Sequence, residues 1–550
     1  MCYLGIPYAK PPVDNLRWKA PEPLPASEAV FEAKNFGASA IQVEYKGSII
    51  KHHRQSEDCL TLNIGVGIDK TESQKPVLVL FHSGDFTCGG SVDPLMYGGD
   101  FTASHPDIVF VSFNYRLGIF GFIDFSEIPG GDTRPDTTNL GLYDQIAALK
   151  WIKENIAAFG GDPDRITVLG FESGATSILL LAASGQAKGL FQRAFVFNGS
   201  PVSAYNTPEA SRTLAKDLLK ETQTMTMAEL LQLDTETLKD AAQRLWQNMC
   251  APTCDGKLIP VDVYQALRDG AASDVEFIIG IPSNETQAFK SLVGGQRYMD
   301  GIISALADMR SAMDDATADA VRAYFEAQTA ASTELEAKSK LVEQWLALCI
   351  YRTAARLHEG GNRVHLMYWA EKPLIENLGS GTADAAATLL GNEDALQMYG
   401  SVMNADLSET LQTLLQKFII GKALEMYVNV IYFGNGVYGI AEAARFYFDK
   451  PVADLDLNQM VMLAVIPSAP TICNPIQHPE AFEHMRNRFL VRFTEGDRPL
   501  IAPAEVTAIL SHDATCLDAE LRKPDDFTRS YPQTIPMTNE RFGPFHDEKA

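Results

Sequence analysis

Ile166-Thr167-Val168-Leu169-Gly170-Phe171-Glu172-Ser173-Gly174-Ala175-Thr176-Ser177-Ile178-Leu179-Leu180 decides how this chain reads. An apolar, partly β-branched run enters a glycine-framed turn, and a helix-like apolar run leaves it. Strand, sharp turn and helix form the setting of the G-x-S-x-G nucleophile elbow. Such an elbow needs small residues two before and two after its central position. Gly170 and Gly174 fill those places, so the centre falls on Glu172 and Ser173 comes one place late. The stretch therefore predicts the elbow's backbone with a carboxyl group where a hydroxyl belongs.

The surroundings extend the pattern. Val77 to Phe81, Ile108 to Phe113, Ile166 to Leu169, Ala194 to Phe197, Phe277 to Ile279 and Val364 to Tyr368 are short continuous apolar runs. Continuous rather than alternating runs are expected of strands covered by helices on both faces. Between them, Tyr143 to Phe159 has an amphipathic helical pattern, closed by Gly160-Gly161-Asp162-Pro163 as a C-cap and a stop. Strands alternating with helices predict an α/β chain with a mostly parallel, doubly wound sheet. Ile303 to Leu357 is Ala-rich and charged, and predicts a helical cap over the sheet. From about Gly421 the texture is helix after helix. Beyond Glu495 it is polar and Pro-containing, with no period.

A length of 550 residues allows one large domain plus a lobe. A net charge of -24 repels nucleic acid and anionic membrane surfaces, so neither is an expected partner. Met1 is followed by no basic and apolar leader, and no apolar run approaches the ~18–20 residues of a membrane span. These readings predict a cytoplasmic protein. The eight cysteines are scattered. Cys250 and Cys254 are a close pair without a second ligand pair nearby, which reads as structural. No metal or cofactor is expected.

Gly5-Ile6-Pro7-Tyr8-Ala9-Lys10-Pro11-Pro12 with Leu16-Arg17-Trp18 resembles the opening signature of type-B carboxylesterases, the family that includes cholinesterases. Ser56-Glu57-Asp58-Cys59-Leu60-Thr61-Leu62-Asn63 is similar to its S-E-D-C-L-x-L-N box. Asn114-Tyr115-Arg116-Leu117-Gly118, Gly141-Leu142-Tyr143-Asp144-Gln145 and Phe159-Gly160-Gly161-Asp162-Pro163 follow in order, and the resemblance covers roughly residues 1 to 420. It implies an α/β-hydrolase fold and, in active members, hydrolysis of small carboxylic esters by a Ser-His-Glu triad with a backbone oxyanion hole.

Carried over residue by residue, that pattern is altered. Glu172 stands at the nucleophile position, and Ser173 falls where the family supplies a backbone oxyanion donor. A locally shifted elbow using Ser173 is the rival reading, since Glu-Ser is also the family dipeptide. His82-Ser83-Gly84-Asp85-Phe86 resembles H-G-G-G-F, with Gly84 and Asp85 at the two donating glycines. An Asp85 carboxylate either points to solvent or places like charge near a forming oxyanion. His82 is family-typical and reads as structural. Gly280-Ile281-Pro282-Ser283-Asn284-Glu285-Thr286 resembles G-x-x-x-D-E-G and puts Glu285 at the triad acid. Counting back from Leu390-Gly391-Asn392 puts Thr382 at the histidine position, and a threonine cannot accept and return a proton near neutral pH. His365 lies inside a strand pattern, and His358 ends a helix. Ala40 stands where extracellular members carry the cysteine partner of Cys59, and the family's strands before G-I-P-Y-A are missing.

Residues 421 to 494 resemble another family. Ala423-Leu424-Glu425-Met426-Tyr427-Val428-Asn429-Val430-Ile431-Tyr432-Phe433-Gly434 is similar to the I-L-E-x-Y-L-N-x-I-Y-F-G box of peptidoglycan glycosyltransferases. Gly436 to Ile440, Ala443-Ala444-Arg445, Tyr447-Phe448, Ile466 to Pro470 and Asn474-Pro475 continue it. The two boxes that carry that family's catalytic glutamates are absent, Glu425 matches neither, and residues 495 to 550 are unassigned. The expected organisation is an esterase-like domain over 1–420, a helical segment over 421–494 and a polar tail. The expected function is an esterase-like α/β-hydrolase with impaired or no catalysis. The alternatives are an active esterase using Ser173, glycosidase-like chemistry by a Glu172 and Glu285 pair, and a glycosyltransferase-related protein.

Overall fold

The computed structural model describes residues 1–25, 29–43, 54–67, 74–93, 99–201, 207–245, 250–282, 285, 334–369, 382–392, 405–421, 433, 435, 437, 439–466, 475–476 and 478–493. These residues belong to two compact units, one within Met1–Ile420 and one within Gly421–Phe542.

The first unit is built on eight strands: β1 Cys2–Pro7, β2 Thr61–Val66, β3 Lys75–Phe81, β4 Val109–Phe113, β5 Gly161–Phe171, β6 Arg193–Phe197, β7 Glu276–Pro282 and β8 Val364–Trp369. They form one sheet in the order β1-β2-β4-β3-β5-β6-β7-β8. β1 pairs β2 and β2 pairs β4 antiparallel, and every other pairing is parallel. All of β3 and the second half of β5 are buried, as strands screened on both faces must be.

All six apolar runs read as strands are strands. β1 and β2 carry no such signal, because they are short and hold polar or glycine residues at Gly5, Asn63 and Gly65. Asn63 is buried, and its amide donates to Ser91 Oγ (3.0 Å) and Ser112 Oγ (3.3 Å). The strand β5 starts upstream of the expected run, at Gly161. Its pairing with β3 jumps from Lys75–Gly161 to Val77–Ile166, so Asp162 to Arg165 form a wide irregularity.

Five helices of this unit matter below: α1 Leu140–Asn155, α2 Ser173–Ser184, α3 Glu334–Glu359, α4 Thr382–Leu390 and α5 Ala405–Ile419. A 3-10 turn over Ile156–Phe159 continues α1 up to Gly160, which takes the left-handed conformation (φ 83°) that ends it. The α1 helix is less amphipathic than its pattern suggested, because two polar residues face inward. Asp144 is fully buried and binds Arg116 through Nη2–Oδ1 (2.6 Å) and Nε–Oδ2 (2.8 Å), and the Arg116 backbone N–H also donates to Oδ2 (3.0 Å). Gln145 donates to Ser177 Oγ (3.0 Å) and joins α1 to α2. Of the expected cap, Glu334–Glu359 is helical, whereas residues 303–333 lie outside the described residues.

The second unit contains helices α6 Ile440–Phe448, α7 Leu457–Val465 and α8 Pro479–Phe493. Ala444, Tyr447, Met462, Val465, Phe482 and Leu490 form its core. Asp456 and Gln459 make a reciprocal capping box at the start of α7. The Ala423–Tyr432 stretch, most of the glycosyltransferase-like box, and residues 495–550 lie outside the described residues.

Candidate functional site

Parallel strands place their ligand-facing residues at their carboxyl ends. In the first unit the ends of β3, β5, β6 and β7 bring together the residues singled out above. Glu172 sits between β5 and α2 with φ 48° and ψ -114°, a region that costs a non-glycine residue ~1–3 kcal/mol. Main-chain bonds impose it: Glu172 N–H donates to Phe197 O (3.0 Å), and Thr176 N–H donates to Glu172 O (2.8 Å). The flanking glycines are steric necessities. A Cβ on Gly170 would lie 2.6 Å from Ala175 N, and one on Gly174 would lie 2.2 Å from Phe81 O. The Glu172 side chain is half-buried. Burial, and then the charges of Asp85, Glu285 and Asp93, hold its carboxyl well above the usual range.

Ser173 is the first residue of α2. It is 2% exposed, and its hydroxyl is buried with no hydrogen-bond partner. Its polar neighbour, the Tyr115 hydroxyl, donates to His82 O (3.1 Å). The Ser173 backbone N–H belongs to the first helical turn, where amides have no intrahelical acceptor.

The loop after β3 is a tight coil. Gly84 has φ 121°, and a Cβ there would lie 2.1 Å from Cys88 O. Thr87 N–H and Cys88 N–H both donate to Gly84 O at 3.0 Å. Asp85 (φ 51°) and Phe86 (φ 60°) are also left-handed, at positions where the family motif has glycine and phenylalanine. Phe86 is buried and its carbonyl accepts from Gly118 N–H (2.8 Å), which fixes the loop. Asp85 is exposed, and the protein around it displaces enough bulk water to push its carboxyl up. His82 is buried, stacked on Tyr115 (centroids 4.3 Å apart), with Nδ1 2.9 Å from Ser83 O. Burial pushes its imidazole down to about 4, so it is neutral near pH 7.

Glu285 is buried and accepts two bonds on Oε2, from Thr382 N–H and Thr382 Oγ1–H, both 2.8 Å. Asn198, which follows β6 with φ 54°, donates from Nδ2 to Thr382 Oγ1 (2.8 Å). Sequence reasoning did not single out Asn198; a polar residue after a strand carries no distinguishing signal. The chain Asn198–Thr382–Glu285 contains no imidazole. His365, on β8, has Nε2 3.2 Å from Glu276 Oε1, and His358 is exposed in the last turn of α3. Cys250 and Cys254 are free thiols. Burial pushes the first up to about 12 and the second up to about 11. No group of three or more metal-ligating side chains occurs among the described residues.

Glu172, Asp85 and Glu285 therefore share one electrostatic environment, Thr382 is bound to Glu285, and the Ser173 hydroxyl is shut away from solvent. A family model described as the carboxylesterase family matches residues 1–429. The chain belongs to the carboxylesterase family. It is 36% identical to the para-nitrobenzyl esterase of Bacillus subtilis over 315 residues, covering 55% of this chain and 63% of that protein. It is 33% identical to the cholinesterase of Mus musculus over 309 residues, 52% of this chain and 50% of that one. The chain thus spans only half to 63% of the length of these curated relatives. Among solved structures, a Geobacillus stearothermophilus carboxylesterase matches with a TM-score of 0.66 at 29% identity, covering 76% of this chain and 86% of that one. A PNB esterase matches with a TM-score of 0.66 at 30% identity, covering 76% and 87%. This carboxylesterase-family chain thus has the α/β-hydrolase fold. A transglycosylase model matches residues 404–494, overlapping the first match over 404–429. Among the described residues no helix is long and apolar enough to cross a membrane.

Proposed function

We propose that this chain is a non-catalytic or severely impaired carboxylesterase, an α/β-hydrolase that keeps the fold of an ester hydrolase without its triad. One observation carries this reading: the elbow conformation falls on Glu172, a carboxyl that burial pushes well above its ordinary range, while the Ser173 hydroxyl is buried beside it. Ester hydrolysis needs a nucleophile relieved of its proton by a base that an acid orients. Glu285 is an acid in place, but the group bound to it is the Thr382 hydroxyl. Loss of a triad nucleophile or base costs about 10^6-fold in kcat in subtilisin, and here both are replaced. Asp85 adds negative charge where an oxyanion would form. If activity remains, its substrate is a small carboxylic ester. The segment 421–494 acts as a helical lobe without glycosyltransferase chemistry, because the boxes holding the catalytic glutamates are absent. A cytoplasmic location goes with this reading.

The test is p-nitrophenyl acetate turnover and fluorophosphonate labelling of the purified chain. The expected result is turnover at the buffer rate and no labelled serine. A variant carrying Glu172→Ser, Thr382→His and Asp85→Gly together is expected to gain label at position 172. Wild-type turnover that disappears on Ser173→Ala would overturn the proposal.

A further inference from the structure

The end of the sheet at β1 carries an apolar rim that the esterase-like site does not use. β1 is the outermost strand, and β2 pairs along one of its edges. Residues 29–36 run beside β1 in the same direction. A parallel bridge between Leu4 and Lys34 ties them on, and Leu4 N–H donates to Ala33 O (2.9 Å). Two further bonds stiffen the segment: Ala33 N–H donates to Phe31 O (3.1 Å), and Lys34 N–H donates to Glu32 O (2.8 Å). The segment also sits tightly on the strand, since a Cβ on Gly5 would lie 2.4 Å from Asn35 O.

Held in this way, the segment turns apolar side chains to water. Val30 is 92% exposed, Phe31 56% and Phe36 37%. One exposed apolar residue is ordinary, but a cluster interleaved with charge marks a contact surface. Its backbone is already fixed, so little ordering entropy is lost when the surface is covered. The charges indicate what covers it. Glu32 and Lys34 are both exposed, with Oε2 and Nζ 3.1 Å apart. With one acid and one base the segment is locally neutral, whereas the chain as a whole, at -24, repels a second copy. The order of residues is also self-complementary about Ala33. The acid Glu32 stands just before it and the base Lys34 just after, and the apolar Val30 and Phe36 flank them at equal spacing.

We infer that this rim docks a second copy of the same chain, in a two-fold dimer whose axis passes close to Ala33. A two-fold contact uses the same patch on both partners, so each complementary pair is made twice. Glu32 faces Lys34 of the second copy, and Val30 faces Phe36 of the second copy. The charges exchange an internal partner for an external one, and the apolar groups leave water. Residues 29–36 are fewer than the about 20–30 residues a side of a stable interface. The dimer is therefore transient, with a dissociation constant on the order of 10–100 μM. Three strands, β2, β4 and β3, separate β1 from β5, which leads into the elbow at Glu172. Docking is thus independent of whether the chain hydrolyses esters.

The experiment is analytical ultracentrifugation of the full chain at concentrations on either side of that constant. A reversible monomer–dimer equilibrium is expected. Val30→Asp with Phe31→Ser should hold the chain monomeric. Leu348→Ser, at an exposed apolar residue on α3, should leave the equilibrium unchanged. Glu32→Lys sets lysine against lysine and should weaken the dimer about tenfold, as should Lys34→Glu by setting glutamate against glutamate. Mixed together, these two variants should associate with each other at wild-type strength, because every pair again joins opposite charges. The substituted positions are exposed, so the variants are expected to fold, which circular dichroism melting checks. If the apolar double variant does not fold, the two charge variants and their mixture give the same reading. A chain that is monomeric at every concentration, a dimer indifferent to Val30→Asp with Phe31→Ser, or no recovery in the mixture overturns the proposal. A monomeric chain that sediments with neutral phosphatidylcholine vesicles overturns the second copy as the occupant.

Discussion

Glu172→Gln keeps the shape of the elbow side chain and removes its charge, which makes the carboxyl's protonation measurable as stability. The ordinary glutamate value is 4.5, and burial beside Asp85, Glu285 and Asp93 holds the folded value well above it. Between those two values the folded protein keeps a proton that the unfolded chain has released. Wild-type stability therefore falls as pH rises, by about 1.4 kcal/mol per pH unit, and levels once the folded value is passed. Glutamine has no such slope. The variant should match the wild type near pH 4.5, gain on it steadily above that, and reach a constant advantage at higher pH. His82 acts in the opposite sense, because its folded value of about 4 lies below the ordinary 6.5, so its contribution rises with pH across that interval. The two slopes oppose each other between 4.5 and 6.5, and the difference between variant and wild type isolates Glu172. All five tryptophans lie before residue 421, so urea unfolding followed by tryptophan fluorescence reports the unit that holds the elbow. In an Asp85→Asn background the plateau should arrive at lower pH, since one repelling charge is gone. A difference curve that is flat, or that shrinks as pH rises, would refute the protonated carboxyl and with it the argument that the elbow holds an acid rather than an anion.

Four further outcomes follow from contacts already described. Asp144→Asn leaves the buried Arg116 guanidinium uncompensated and should cost about 3–5 kcal/mol in urea unfolding. Thr382→Val removes the hydroxyl between Asn198 and Glu285 and should cost about 1–3 kcal/mol; a loss below about 0.5 kcal/mol would mean the buried network contributes little. Gly174→Ala drives a methyl group to within 2.2 Å of Phe81 O, and circular dichroism melting should show destabilisation of at least about 1–3 kcal/mol. The His82 ring should show no protonation shift in proton NMR between pH 5.5 and 8, values set by its folded pKa of about 4 and about one unit of margin.

The sheet was legible where strands are continuous and apolar, as in β3 and β6, because burial on both faces leaves a local mark. β1 and β2 were not, since their polar residues are satisfied by partners such as Ser91 and Ser112, far along the chain. The inward turn of Asp144 and Gln145 left no local mark for the same reason: their partners, Arg116 and Ser177, are 28 and 32 residues away. At the candidate site the elbow was readable from Gly170 and Gly174 alone, because steric exclusion acts between near neighbours. The Glu285, Thr382 and Asn198 chain spans 97 and 184 residues, and only the family resemblance pointed to its first two members.

The elbow at Glu172 is held without any help from the side chain it presents. Phe197 O, Thr176 N–H and the bare faces of Gly170 and Gly174 fix the turn. The position is thus an exchangeable socket: whatever residue is written there is delivered to one point and one direction at the head of a helix. Replacements should rank in stability by their tolerance of a left-handed backbone, glycine and asparagine first, while the Cα stays where it is. A family can therefore lose its nucleophile in a single substitution and keep an intact mounting, and a chemist can use the same mounting to install a different functional group.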